Sequence, residues 1–261
     1  SWGRTSLPGR AVDYLTFYLS AAWRLLSLVR RGDLVLAKTD PPLIGLVAGV
    51  VARLKGAAAI NWWQDVYPEV AERLAVPAAR LLGRPLRWVR GWVLRTAARN
   101  VVIGRCMRAY LITQGADAAR IAVIPNWVDD VAIRPLPRER NPLRGQWGLA
   151  DRFVVGYSGN LGRSHEFDTL LEVARRLAPD PGIAFLIVGS GARLAEIEGC
   201  CRELGLDNVL FRPFQPREWL PQSLSVPDLQ IVSLRSGLEG LVVPSKFYGA
   251  LAAGRPVLFL G

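Results

Sequence analysis

The sequence is poor in the residues that build metal centres and disulfide frameworks. Its 261 residues include a single histidine and three cysteines, which stand at positions 106, 200 and 201. Adjacent cysteines such as Cys200 and Cys201 do not readily bridge each other, and no spacing of Cys and His matches a metal-binding motif. These shortages argue against a disulfide-stapled secreted domain. They favour free thiols in a reducing cytoplasm.

Long apolar runs are absent as well. The longest, residues 41–52, has 12 residues, whereas a membrane-spanning helix needs about 20. We therefore expect a buried helix in this region. The chain begins with serine and ends just after the strand-like segment VLFL at residues 257–260, so we expect that it is cut from a longer protein at both ends.

Acidic residues are outnumbered by basic ones. The chain has 22 Asp and Glu against 33 Lys and Arg, which gives a formal net charge of +11. We expect a negatively charged partner, such as anionic lipid or a phosphorylated substrate. Nucleic acid is not expected, because the arginines are scattered over both halves and form no recognised nucleic-acid-binding motif.

Short β-rich runs alternate with helical patterns from residue 33 onward, which predicts parallel strands joined by crossover helices. The first set of runs is 34–38, 57–62, 100–104 and 121–125, and the second is 153–158, 183–189, 208–212, 228–234 and 256–260. Strands this apolar are buried on both faces, as in α/β folds. Residues 129–152, rich in Pro and Arg, are predicted to connect two domains, 1–135 and 136–261.

Three loops in the second domain follow predicted strands, where ligands of such sheets bind. The first has glycines at 156, 159 and 162 before a helix, an arrangement that suits a phosphate. Arg163 and His165 add proton donors, and His165 is either a general acid or base or only a hydrogen-bond donor. The second loop contains Gly189 and Gly191 and also fits an ordinary strand-to-helix turn.

The third loop, residues 236–256, carries Glu239, Ser245 and Lys246 ahead of a small-residue helix. A lysine at the start of a helix suits a diphosphate. The alternative is an exposed surface lysine without a ligand.

In the first domain, polar side chains follow a buried strand and lie among aromatic residues. They are Asn61, Gln64, Asp65 and Glu69. Such a mixture is common where a protein holds a sugar or an amphipathic acceptor. Alternatively, Asp65 and Glu69 only cap the following helix.

A helix predicted from Pro85 to residue 99 contains no acidic residue. Its expected apolar stripe is Leu86, Val89, Trp92 and Val93, and its flanking arginines are Arg84, Arg87, Arg90 and Arg95. A helix of this composition can lie on an anionic membrane surface, with arginine toward the lipid phosphates. A core helix with a solvated arginine face is the alternative.

Four segments, residues 60–74, 123–130, 156–174 and 242–261, together resemble the family 4 retaining glycosyltransferases. The likeness is strongest to the branch that builds bacterial cell-surface polysaccharides, and it covers nearly the whole chain. It implies an α/β protein of two Rossmann-like domains facing across a cleft, the GT-B fold. The first domain would hold the acceptor and lack its first strand. The second would hold the nucleotide sugar and lack its last elements.

The resemblance also implies the chemistry. A sugar would pass, with retention of configuration, from a nucleotide donor, expected to be UDP-linked, to a lipid-linked or cell-surface glycan acceptor at the inner face of the plasma membrane. No metal or other cofactor is expected, because fixed cations would stabilise the leaving diphosphate. The implied donor-binding residues are Gly159, Asn160, Gly162, Arg163, His165, Gly189, Gly191, Glu239, Ser245 and Lys246. The catalytic candidates are Asp65, Arg163 and Lys246, and the acceptor-side candidates are Asn61, Gln64 and Asp65.

The sequence departs from the family pattern in three places. Most relatives have a His-Asp pair in the acceptor domain, where this chain has Gln64 and Asp65. Where the family often has Arg and Lys in the first glycine loop, this chain has Asn160 and His165, so we expect Arg163 and Lys246 to compensate. Of the family's paired glutamates only Glu239 is present. The second position falls on Phe247 or, if the small-residue helix is aligned instead, on Gly249. Two alternatives are a nucleotide-sugar 2-epimerase of the same fold and a non-catalytic basic membrane adaptor.

Overall fold

The computed structural model describes the backbone of residues 7–261, and their side chains except those of residues 7, 8, 10, 11, 78 and 80. The chain forms two compact units. The N-terminal unit comprises Ser1–Pro125 and Leu238–Val243, and the C-terminal unit comprises Asn126–Gly237 and Pro244–Gly261.

The described part of the N-terminal unit contains a four-stranded parallel sheet with the strand order β1-β2-β3-β4. Helix α1 (Leu7–Leu28) precedes β1 (Leu34–Lys38), and α2 (Ile44–Lys55) connects β1 to β2 (Ala58–Trp63). Helices α3 (Glu69–Arg73) and α4 (Pro77–Thr96) lead to β3 (Arg99–Val102), and α5 (Arg105–Thr113) leads to β4 (Ile121–Val123). Each crossover contains a helix, as parallel pairing requires.

Helix α2 is the buried helix expected from the longest apolar run. Its small residues Gly45, Ala48 and Ala52 are buried, and Ala48 and Ala52 pack with residues of β1 and β2 in one cluster. The helix ends at Gly56, whose φ of 66° is left-handed, a conformation that favours glycine. Among the described residues, no helix is long and apolar enough to cross a membrane.

The described part of the C-terminal unit contains a five-stranded parallel sheet with the order β7-β6-β5-β8-β9. Its strands are β5 (Phe153–Ser158), β6 (Ile183–Val188), β7 (Val209–Arg212), β8 (Leu229–Ser233) and β9 (Val257–Leu260). Its helices are α6 (Pro142–Gln146), α7 (Asp168–Arg176), α8 (Leu194–Glu203), α9 (Leu220–Leu224) and α10 (Lys246–Ala252). The strand order reverses at β5, between β6 and β8, and ligands of open α/β sheets bind at such a switch point.

All nine predicted strand runs overlap an observed strand. Two Rossmann-like α/β units are thus present, as the sequence predicted. The predicted connection at 129–152 and the boundary after residue 135 need correction, because the unit boundary lies after Pro125. The segment 238–243 also packs with the N-terminal unit, which chain order alone did not reveal.

Polar side chains within residues 129–152, which are typical of a linker in the sequence, are bonded inside the C-terminal unit. Asn141 caps α6 by accepting a hydrogen bond from the Leu143 amide at 3.1 Å. Arg144 is 1% exposed, and its guanidinium donates to the Asp228 carboxylate at 3.1 Å and to the Val226 carbonyl at 2.8 Å. This segment is therefore part of the C-terminal core.

Helix α4 also differs from its prediction. It begins at Pro77, so Pro85 lies inside it rather than in its first turn. Pro77 takes the N-terminal place that the missing amide of proline suits. Pro85 is exposed, so its ring meets solvent instead of core side chains.

Candidate functional site

The turns after β5 and β6 lie against each other at the carboxyl ends of the strands. The amide of Gly159 donates to the carbonyl of Val188 at 2.9 Å, and the amide of Leu161 donates to that of Ser190 at 2.9 Å. Gly189 has a φ of 150°, and a β-carbon on it would lie 2.0 Å from the carbonyl oxygen of Gly159. Glycine is therefore required at the second turn by both backbone conformation and space.

Gly191 is constrained in the same way. Its φ is 158°, and a β-carbon there would lie 2.5 Å from the carbonyl oxygen and 2.6 Å from the nitrogen of Leu161. Gly189 and Gly191 of the second turn thus pack against the backbone of Gly159 and Leu161 in the first turn.

Lys246, the first residue of α10, reaches the first of these turns. Its Nζ donates to the hydroxyl of Tyr157 at 2.5 Å and lies 3.0 Å from Nε2 of His165. A β-carbon on Gly159 would be 3.1 Å from its Cε. The predicted residues Gly159, His165 and Lys246 therefore meet in space, although they come from two separate loops.

Burial sets the protonation of this cluster. The pKa of Lys246 is lowered from 10.5 to about 7 by burial. The pKa of His165 is lowered from 6.5 to about 4, first by burial and then by the charge of Lys246. Nδ1 of His165 lies 2.6 Å from the Ser233 carbonyl, so the neutral ring donates there and offers Nε2 as an acceptor. This geometry favours a hydrogen-bonding role for His165 over acid or base catalysis.

A cavity of about 360 Å³ opens beside the same turn and is rimmed by charged side chains. They are Arg163, Glu166, Asp168, Arg193, Glu196 and Arg235. Arg193 is already paired with Glu196 at 2.7 Å. Arg163 and Arg235 are exposed, and the Arg235 amide donates to the Ser164 carbonyl at 2.8 Å. The predicted cation Arg163 thus has a second arginine nearby.

Arg235 and Tyr157 were not among the predicted site residues. Arg235 could have been suggested by its position just after β8, at the carboxyl end of a strand. For Tyr157 no local signal exists, because it reads as one more apolar residue of β5.

The remaining donor-side candidates lie at the surface or in the other unit. Asn160 is exposed, and its carbonyl accepts a hydrogen bond from Tyr157 at 2.8 Å. The backbone of Gly162 lies close to the side chain of Asn160, because a β-carbon on Gly162 would be 2.9 Å from Nδ2 of Asn160. Ser245 is exposed just before α10. Glu239 belongs to the segment grouped with the N-terminal unit, where its carboxylate lies 3.8 Å from Sγ of Cys106.

In the N-terminal unit, the structure is consistent with an acceptor-side role for Asp65 but not for Asn61. Asn61 is 2% exposed, and its amide donates to the Val93 carbonyl and to Asn100, both at 3.2 Å. The prediction of an acceptor contact there is corrected, because the side chain ties β2 to its neighbours. Asp65 is half-buried, and its pKa is raised by burial and then by the charge of Asp40.

Gln64 and Asp65 are placed by a common partner, Thr39. Their backbone amides lie 2.8 Å and 3.3 Å from the hydroxyl oxygen of Thr39, which accepts from both. Burial also raises the pKa of the adjacent Tyr67 to about 12. The side chain of Gln64 is half-buried at this strand end.

The predicted arginine face of α4 is only partly at the surface. Arg90 is buried in an ion pair with Glu69 and also donates to Gln114 at 2.9 Å. Arg87 binds both carboxylate oxygens of Glu72, at 2.6 Å and 2.7 Å. Arg90 therefore cannot reach lipid, and the prediction is corrected for that residue. The same ion pair shows that the carboxylate of Glu69 binds Arg90 and does not cap helix α3.

The apolar stripe of α4 faces inward. Val93 is buried and Trp92 is half-buried, whereas the indole of Trp88 is 70% exposed and Leu81 is 84% exposed. Three of the predicted arginines stay exposed, Arg84, Arg87 and Arg95, and of these Arg87 is paired with Glu72. The surface of α4 thus combines predicted arginines with exposed apolar side chains, Leu81 and Trp88, that lie outside the predicted apolar stripe.

Two protein-family models match the chain, and together they cover both units. A glycosyl transferase 4-like domain matches residues 2–127, and the group 1 glycosyl transferases match residues 139–259.

Curated relatives carry the same kind of description. The "Probable glycosyltransferase WbjE" of Pseudomonas aeruginosa is 30% identical over 255 residues, covering 96% of this chain and 62% of the relative. The "Putative colanic acid biosynthesis glycosyl transferase WcaI" of Escherichia coli (strain K12) is 29% identical over 211 residues, covering 78% of this chain and 51% of the relative. The chain therefore spans between half and two thirds of the length of these relatives.

Solved structures share the fold. Alr3699/HepE of Anabaena, in complex with UDP, superposes with a TM-score of 0.72 at 19% identity, covering 92% of this chain and 62% of that one. At this identity the likeness concerns the fold, which is that of the predicted two-domain α/β class.

Proposed function

The chain belongs to the group 1 glycosyltransferases that carry a glycosyltransferase 4-like domain, and we propose that it moves a sugar from a nucleotide-sugar donor to an acceptor. The observation that carries this proposal is the Lys246 ammonium, held at the glycine turn after β5, where the strand order of the sheet reverses. Lys246 is half-buried, and among the described residues no carboxylate pairs with it. A cation in this position suits the diphosphate of such a donor.

The proposed donor site lies in the C-terminal unit. Backbone amides of the two glycine turns would approach the diphosphate, while Lys246, Arg163 and Arg235 would oppose its charge. These fixed cations would take the part that a metal ion plays elsewhere. A UDP-linked sugar is the first donor to test, since the Anabaena structure is described as a complex with UDP.

The proposed reaction retains the configuration of the sugar. The bond between the anomeric carbon and the diphosphate oxygen breaks, and the acceptor oxygen forms its bond on the same face. The acceptor proton passes to the departing diphosphate, so no protein nucleophile is needed. Lys246 and Arg163 would stabilise the negative charge that develops on the leaving group. Asp65 would orient the acceptor hydroxyl.

The proposed acceptor is a lipid-linked or cell-surface glycan. In support, the relative WcaI is described as a glycosyl transferase of colanic acid biosynthesis. Exposed Arg84 and Arg95 would hold α4 at the anionic inner face of the plasma membrane, with Trp88 at the headgroup level. Arg90 takes no part, because it is paired with Glu69 inside the unit.

The donor proposal is tested by incubating the full-length protein with UDP-, GDP- and dTDP-linked sugars together with a lipid-linked glycan acceptor, and measuring the release of nucleoside diphosphate. We expect release with one class, reduced about 10²- to 10³-fold in Lys246→Ala. Lys55→Ala, at the end of α2, is the control and should match the wild type. If no nucleotide sugar is consumed, the proposal is wrong.

The membrane proposal is tested by sedimentation with vesicles of anionic and neutral lipid. Arg84→Glu combined with Arg95→Glu should weaken binding to the anionic vesicles alone. Arg53→Glu, an exposed charge reversal on α2, is the matched control. Equal binding of both variants would exclude α4 as the membrane surface.

A further inference from the structure

The ammonium of Lys246 is surrounded by neutral groups. Its Nζ lies 2.5 Å from the hydroxyl of Tyr157, 3.0 Å from Nε2 of His165 and 4.2 Å from the centre of the Tyr157 ring. In the part of the chain that the structure describes, no carboxylate forms an ion pair with it. Tyr157 therefore touches the cation twice, through its oxygen and through its ring.

The protons of the two neighbours are committed elsewhere. Tyr157 donates its hydroxyl proton to the Asn160 carbonyl at 2.8 Å, so its oxygen accepts from Lys246. His165 donates from Nδ1 to the Ser233 carbonyl at 2.6 Å, so its Nε2 also accepts. An ammonium has three N–H donors. Two are used by these neutral acceptors, which leaves the third for an anion.

Tyr157 is held firmly in this position. Its side chain belongs to the core beneath the turn and is 1% exposed. Its ring packs edge-on against Phe167, with the ring centres 4.9 Å apart. Burial raises the pKa of its phenol, so the hydroxyl stays neutral. A rigid, neutral acceptor fixes a flexible lysine without cancelling its charge.

The lysine side chain passes directly over Gly159. The φ of this glycine is 141°, and a β-carbon there would come within 3.1 Å of Cε of Lys246. The hydroxyl of Tyr157 also holds the backbone of Asn160, the next residue of the turn. One side chain thus fixes both the cation and the loop backbone at the proposed diphosphate site.

We propose that Tyr157 is a positioning residue, which holds the Lys246 ammonium over the glycine turn so that its free N–H meets the diphosphate of a nucleotide donor. The inference rests on the proposed function and adds a residue that acts through Lys246. The titratable groups facing this ammonium are Tyr157 from β5 and His165 from the β5–α7 turn. From β8 only the carbonyl of Ser233 takes part, through His165.

The test is calorimetric titration of the full-length protein with UDP between pH 6 and 9. Tyr157→Phe keeps the ring but removes the oxygen, so we expect UDP to bind about tenfold more weakly. Without that acceptor the ammonium loses its proton more easily, so the affinity should begin to fall at a lower pH than in the wild type. Tyr248→Phe, on the same helix as Lys246, is the control and should leave both quantities unchanged.

A double-mutant cycle separates positioning from a general loss of structure. In a Lys246→Met background, Tyr157→Phe should change UDP affinity by less than about twofold, because there is no ammonium left to position. A tenfold loss in that background, or a loss without a shift of the pH profile, would overturn the proposal. So would unchanged UDP binding by Tyr157→Phe. If the wild type itself binds no UDP, GDP or dTDP, the proposed function fails first, and this inference with it.

Discussion

A β-carbon on Gly189 would lie 2.0 Å from the carbonyl oxygen of Gly159. The turns after β5 and β6 are therefore packed backbone to backbone, with no room for a side chain between them. This contact holds the two turns in one fixed arrangement, and Lys246 extends over the first of them. The proposed donor site is thus built on tightly packed backbone of the C-terminal unit.

Gly189→Ala tests this packing. The new β-carbon would meet backbone at a left-handed φ, so we expect a loss of roughly 2–4 kcal/mol in the free energy of unfolding. Denaturant titration measures it. Gly199→Ala is the control, since Gly199 lies in α8 and its β-carbon would meet nothing closer than 3.9 Å; there alanine should stabilise by about 0.5–1 kcal/mol. Equal stability of the two variants would contradict the packing argument.

Arg90 gives a second stability prediction. Arg90→Ala leaves the carboxylate of Glu69 buried without its partner, which should cost about 3–5 kcal/mol. Arg84→Ala on the exposed face of the same helix should change stability by no more than about 0.5 kcal/mol. Thermal and denaturant unfolding of the two variants compare them directly. A mild effect at Arg90 would mean that the ion pair is not buried as described.

His165 predicts how stability depends on pH. Because its pKa is lowered from 6.5 to about 4, the unfolded chain binds a proton between these values that the folded chain does not. The free energy of unfolding should therefore fall as the pH drops from 6.5 toward 4, with a slope from this group of at most about 1.4 kcal/mol per pH unit. In His165→Gln the slope across that window should be shallower, and an identical slope would exclude His165 as its source.

Lys246 predicts how donor binding depends on pH. Burial lowers its pKa to about 7, so the empty site loses its ammonium as the pH rises above that value. UDP affinity should then weaken above pH 7, by no more than about tenfold per pH unit. Lys246→Arg keeps its charge throughout and should give a flatter profile. A wild-type affinity that does not change between pH 7 and 9 would contradict this assignment.

The sheets and the glycine turns could be predicted from the sequence because their signals are local. A strand such as FVVGYS is a continuous apolar run, and the turn that follows it shows its glycines directly. Lys246 was found in the same way, by its place ahead of a helix. Each of these features depends on residues within one short segment.

What the sequence did not reveal depends on distant partners. Tyr157 becomes a site residue only because Lys246, 89 positions later, reaches its hydroxyl. Arg144 is buried because Asp228, 84 positions away, supplies a carboxylate. Arg90 is likewise paired with Glu69, 21 positions earlier. Composition indicates that arginines are abundant, but it does not tell which of them meet a carboxylate in the core.

The most direct test of the account is calorimetric titration of the full-length protein with UDP at pH 6.5, where Lys246 is mostly charged. We expect a saturable, one-to-one interaction that weakens at least tenfold in Lys246→Ala and in Arg163→Ala, while Lys55→Ala binds like the wild type. Wild-type affinity in Lys246→Ala would contradict the central claim that this half-buried ammonium holds the donor diphosphate.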